Sequence, residues 1–222
     1  MALETTKTKL RLGGSWNLEE LSEATKDYIQ LYGFAYSLLP DLPDARRSEV
    51  DHIYGKFPWR GGYSTVNFFN QLFHKIPPKL RPNVERIRYA SPGFIELQEV
   101  LVVAISVAAI VKAVCASVAM AHDTYRKIQK SSVEHKLTKI DLTNKELDLT
   151  QRQLTFCEFE AKKLAKIFGL SEAQEALLDQ KVQGNPIVKL KILLSVYRRV
   201  EPLAEKQTQG KLNITAEKSD EI

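Results

Sequence analysis

A chain of 222 residues with 44% apolar and 27% charged side chains has ordinary globular composition and room for one large domain or two small ones. Its two cysteines, Cys115 and Cys157, are spaced for neither a small disulfide scaffold nor a zinc site, so both read as free thiols of a reducing compartment. A formal charge of +5 and a pI near 9.1 permit contact with phosphates or anionic lipid without requiring it.

Residues 1–10 carry Lys7 and Lys9 but no following apolar run, so no secretory signal is read and a cytoplasmic location is expected. From Lys9 to Gly14 polar and apolar residues alternate, as in a short strand. Asn17 caps a helix from about Leu18 to Leu38, with Glu19 and Glu20 in its first turn and Leu21, Ala24, Tyr28, Leu31 and Phe34 or Ala35 on its buried face. A second helix is expected from Asp44 to about Tyr54, and a third from Thr65 to Ile76, ended by Pro77-Pro78. Val84 to Tyr89 alternates again, and pairing with the Leu10 strand closes a small α+β domain at 1–92.

Ser91-Pro92 reads as an N-cap and first helical position. From Phe94 no Gly or Pro occurs before Gly169, which predicts a long central helix over 93–168 with an apolar segment at 100–121. Gly169 stops it, Ser171 to Gln174 forms a capping box, and Asn185-Pro186 opens a further helix ended by Pro202. Short C-terminal helices thus fill 169–206, and 207–222 reads as a disordered tail. The fold class expected is mainly α, with a small N-terminal α+β domain, a long central helix and a C-terminal helical region.

No phosphate loop, dinucleotide fingerprint, nucleophile elbow or two-histidine zinc motif is present, so a non-enzyme without metal or cofactor is expected. His52, His74, His122 and His135 lack ligand spacing. In the Gly-rich stretch 55–64, Lys56, Trp59, Arg60 and Tyr63 could stack a base and neutralise a phosphate, although a packed turn anchored by Trp59 is preferred. Arg86 and Arg88 share one face of their strand and form a basic patch.

Read as one helix, about 22 residues of segment 100–121 would extend roughly 33 Å, the thickness of a bilayer core. Ala109, Ala113, Ser117 and Ala121 recur every fourth residue, which suits close helix contact in a membrane or in a packed assembly. Lys112 stands near the middle, where a lysine costs about 2.5–3.5 kcal/mol on insertion scales, and would be a pore or polar contact if the segment spanned. Ile140, Leu147 and Leu154 repeat at seven, beside a row of Leu142, Leu149 and Phe156, in a coiled-coil-like pattern with more than one neighbour.

The function expected is therefore a non-enzymatic, self-associating assembly or regulatory protein, a homo-oligomer held by 100–121 and 133–161. One alternative is an oligomeric effector that permeabilises an inner or plasma membrane through 100–121. Another is a nucleic-acid or nucleotide sensor using the Trp59 loop, with an anionic ligand as its partner.

Overall fold

A computed structural model of the chain describes residues 3–56, 61–131 and 151–215, with side chains of the middle stretch described from Thr65 onward. The first strand, β1 (Thr5–Leu12), precedes α1 (Leu18–Ser37), α2 (Asp44–Lys56) and α3 (Gly61–His74). After a single 3-10 turn come β2 (Asn83–Arg88), β3 (Gly93–Val100), α4 (Leu101–Ala116) and α5 (Val118–Gln129). The chain continues with α6 (Gln151–Ile167), α7 (Glu172–Lys181), α8 (Pro186–Thr208) and β4 (Leu212–Thr215). The fold is mainly α, with one four-stranded antiparallel sheet ordered β2-β3-β1-β4.

Helix α1 starts at the expected capping box. The Glu20 N–H donates to Asn17 Oδ1 at 2.8 Å, and the Asn17 N–H donates to Glu20 Oε2 at 3.3 Å. Its second half, from Leu31 to Ser37, is buried on every side, because α3, α4 and α8 pack around it. That closeness needs Gly33: a Cβ there would lie 2.9 Å from the Phe73 backbone nitrogen. Gly33→Ala should push α1 and α3 apart and cost roughly 1–3 kcal/mol. Urea denaturation checks this, and an unchanged midpoint would show that the two helices can separate freely.

Several expectations are corrected. The Leu10 strand does not pair with Val84–Tyr89, because β3 lies between them and takes both as antiparallel neighbours. Ser91-Pro92 is a cis peptide in the turn joining β2 to β3, not a helix start, and a Cβ on Gly93 would meet the carbonyl oxygens of Arg88 and Ala90 at 2.7 Å. A boundary at 92 therefore falls inside a hairpin. Residues 94–100 are strand because Ile95, Leu97 and Glu99 all bury on one side while backbone groups pair on both edges, which outweighs the helical preference of Leu, Glu and Gln.

The apolar segment is not one helix. Val100 ends β3, and α4 and α5 meet at 86° across Ser117, whose hydroxyl donates to the Ala113 carbonyl at 2.7 Å. Pro202 does not end α8, which continues to Thr208, since Val196, Tyr197, Val200, Leu203 and Ala204 bury on both sides of the proline. The expected disordered tail contains β4, where Leu212 and Ile214 bury beside Leu12 and Leu10 of β1. Ile140, Leu142, Leu147 and Leu149 lie outside the described residues, as does His135; Leu154 and Phe156 are half-buried against the core.

Candidate nucleic-acid interface on the outer face of the sheet

Strand pleating sorts the sheet's side chains by parity. On β1, Thr8, Leu10 and Leu12 are buried toward the helices, opposite Leu97, Ile95 and Gly93 of β3. Lys7, Lys9 and Arg11 must then project from the other face. The register of the three ladders gathers that outer face into rows running across the sheet.

One row reads Arg88, Phe94, Arg11 and Asn213, one residue from each of β2, β3, β1 and β4. The next reads Arg86, Glu96, Lys9 and Thr215. The third reads Asn83, Gln98 and Lys7. Five cations thus share a sheet face on which the ladders place one carboxylate, Glu96. A second acidic residue, Glu85, is the extra residue of a bulge beside Arg86.

The geometry within the rows is organised. Lys9 Nζ lies 3.5 Å from Glu96 Oε2 and 5.2 Å from the centre of the Phe94 ring, so one ammonium group caps both neighbours. Glu96 is only 6% exposed although its strand position places it on the outer face beside Lys9. Gln98 Nε2 donates to Thr5 Oγ1 at 2.9 Å. Arg11, Arg86, Arg88, Asn83 and Asn213 are exposed. The described helices that pack on the sheet, α4 and α8, do so from the side of its buried residues.

Beneath the face, the interior holds titratable groups in tight networks. Glu99, fully buried, accepts from the Thr8 hydroxyl and from Tyr28, whose O–H lies 2.8 Å from each carboxylate oxygen. The Val100 N–H donates to Tyr32 Oη at 2.9 Å, and the Tyr32 hydroxyl donates to the Leu80 carbonyl at 3.0 Å. Burial raises the Glu99 pKa, against the lowering effect of the bonds from Thr8 and Tyr28. Burial likewise pushes Asp27 up to about 6, against the opposing charge of Arg199.

Both groups hold their protons more tightly folded than unfolded, so over this range the native state binds more protons and stability falls as pH rises. For Asp27 the window runs from its ordinary 3.8 to about 6. The stability difference between the wild type and Asp27→Asn should therefore shift against the wild type across that window. Denaturation midpoints of both proteins measured through it check the sign, and a flat difference would mean that Asp27 is not perturbed.

The other sequence-derived candidates are dispersed. Lys56 is exposed at the end of α2, which packs on α3 and α7, while Trp59, Arg60 and the Tyr63 side chain lie outside the described residues. Ala109 and Lys112 are exposed, Ala113 and Ser117 are half-buried, and Ala121 is fully buried beyond the bend, so the small-residue row does not form one continuous stripe. His122 Nδ1 lies 3.4 Å from Glu201 Oε1, which also accepts from the Tyr197 hydroxyl at 2.8 Å. Among the described residues no group of three or more His, Cys, Asp or Glu could hold a metal ion.

Of the expected binding residues, the sheet brings Arg86 and Arg88 together with Lys7, Lys9, Arg11 and Phe94, which were not singled out. The signal for the β1 cations was their alternation with Thr8, Leu10 and Leu12. No single helix among the described residues is long and apolar enough to cross a membrane; α4 and α5 pass that test only as a bent pair. No family model, curated protein or solved structure matches the chain.

Proposed function

We propose that this chain is a non-enzymatic binding protein that carries single-stranded nucleic acid on the outer face of its sheet. The observation that carries this reading is the set of three cross-sheet rows, in which Lys7, Lys9, Arg11, Arg86 and Arg88 stand around Phe94 with Asn83, Gln98 and Asn213 beside them. Cations neutralise phosphates, and amide side chains hydrogen-bond base edges.

Shape argues for a single strand. Four strands about 4.8 Å apart make a surface roughly 14 Å across, wider than the groove of a duplex that admits at most a two-stranded ribbon. Composition argues against a lipid surface, since membrane-binding faces combine cations with apolar side chains that insert. Here Phe94, the bulky apolar side chain in the rows, is half-buried beneath Lys9.

Fluorescence anisotropy of a labelled single-stranded oligonucleotide tests the reading, with a duplex of the same sequence and anionic vesicles in parallel. Salt-dependent binding of the single strand in preference to both is expected. Equal affinity for the duplex, or preference for vesicles, would reject it.

The exposed side of α4 and α5 favours a second reading. Val102, Ile105, Val118 and Met120 are 38–54% exposed there, near Ala109, which supports self-association of a regulatory assembly through 100–121. Part of that segment is already committed, because Val103, Ala104, Val107, Ile110, Val111, Val114 and Ala121 are buried within the chain itself. The same burial weakens the bilayer-permeabilising alternative.

A further inference from the structure

Among the described residues strand β2 is an unpaired edge of the sheet, and all six of its residues are exposed. On the side that faces the helices, Val84 and Ile87 stand opposite Leu97 and Ile95. Leu97 and Ile95 are each 4% exposed, whereas Val84 and Ile87 are 59% and 57% exposed. The described helices thus cover the sheet as far as β3, while its apolar row continues onto the exposed β2. An edge of this kind presents unpaired backbone groups and apolar side chains together, which is a template for another strand.

We infer that a second copy of this chain covers it, by antiparallel pairing of β2 with β2 about a two-fold axis. The charge and apolar pattern of the strand is self-complementary in one register. The bulge places two residues, Glu85 and Arg86, between the inward-facing Val84 and Ile87. Centring the axis between Glu85 and Arg86 sets Val84 opposite Ile87 of the second copy and Glu85 opposite its Arg86. Asn83 then meets Arg88, and no like charges stand directly opposite each other.

Opposite residues of an antiparallel pair share a face, so the apolar pairs stay on the helix side and the ion pairs on the outer side. The basic faces of the two copies become one surface of eight strands. This inference stands apart from the nucleic-acid reading, because it rests on the edge and not on the face.

Sedimentation velocity of the full chain over a micromolar concentration series tests it. A dimer of twice 25.2 kDa is expected for the wild type. Glu85→Arg sets arginine against arginine twice and should weaken the dimer on the order of tenfold or more. Arg86→Glu should do the same, and the double swap Glu85→Arg with Arg86→Glu should restore it.

Circular dichroism melts of each variant should match the wild type, since the substituted positions are exposed. Glu85→Arg also adds a cation beside the outer face, so loss of the dimer with oligonucleotide binding retained separates the two proposals. A monomeric wild type, single swaps that leave the mass unchanged, or a folded double swap that stays monomeric would each overturn the pairing. A dimer broken by Ile105→Asp but not by Glu85→Arg would overturn it in favour of the α4–α5 surface.

Discussion

Replacing Lys7, Arg11 and Arg88 together with alanine should weaken the binding of a single-stranded oligonucleotide by on the order of 100-fold at low salt. On single strands each neutralised phosphate contributes about 0.7 to the slope of log affinity against log salt, so the slope should fall by about 2. These three span two rows and two strands of the face and leave the Lys9–Glu96 pair intact. Arg11 and Arg88 are exposed and Lys7 is half-buried, so the melting temperature should stay close to that of the wild type. A folded triple variant that binds as tightly as the wild type, with the same salt slope, would remove the face from the account.

The second large effect concerns stability. Arg199 is 6% exposed and joins three helices. Its Nε donates to Gln30 Oε1 at 2.5 Å, its Nη1 donates to the Ser195 carbonyl at 2.6 Å, and its guanidinium lies 3.8 Å from the centre of the Phe69 ring. Gln30 is held in turn, its Nε2 donating to Asn70 Oδ1 at 2.9 Å. Burial lowers the Arg199 pKa to about 10, against the raising effect of Asp27.

Arg199→Ala removes the guanidinium packed against the Phe69 ring and leaves the buried Gln30 carbonyl oxygen without its donor, which should cost roughly 3–5 kcal/mol. Arg199→Lys keeps the charge but loses the guanidinium's contact with the Phe69 ring and one fixed donor direction, so it should recover only part of the loss. Urea denaturation orders the three proteins. An alanine variant within about 1 kcal/mol of the wild type would mean that the core closes around the gap, contrary to the packing of α1, α3 and α8 described above.

Local signals in the sequence located much of this fold. The capping boxes at Asn17–Glu20 and Ser171–Gln174 mark where α1 and α7 begin, and the spacing of Ala24, Tyr28 and Leu31 marks the buried side of α1. What escaped were features decided by partners distant in the chain. Residues 94–100 are rich in helix formers, and they become strand because β2 flanks one edge and β1, far away in the chain, flanks the other. The same holds for β4, whose four residues gain structure only against β1.

The candidate site divides in the same way. Period-two alternation placed Arg86 and Arg88 on one face, and it places Lys7, Lys9 and Arg11 on another strand just as clearly. Only β3, lying between those two strands, makes them one surface. Ser117 illustrates the opposite error, since a serine among apolar residues gives little local warning of an 86° bend.

The most direct test of the central claim is backbone amide chemical-shift mapping as a short single-stranded oligonucleotide is added to the full chain. Perturbations confined to residues 5–12 of β1, 83–88 of β2 and 93–98 of β3, diminishing as salt is raised, are the result this account predicts. Perturbations centred on residues 56–60 or on the exposed side of α4 and α5, with the sheet unmoved, would contradict it.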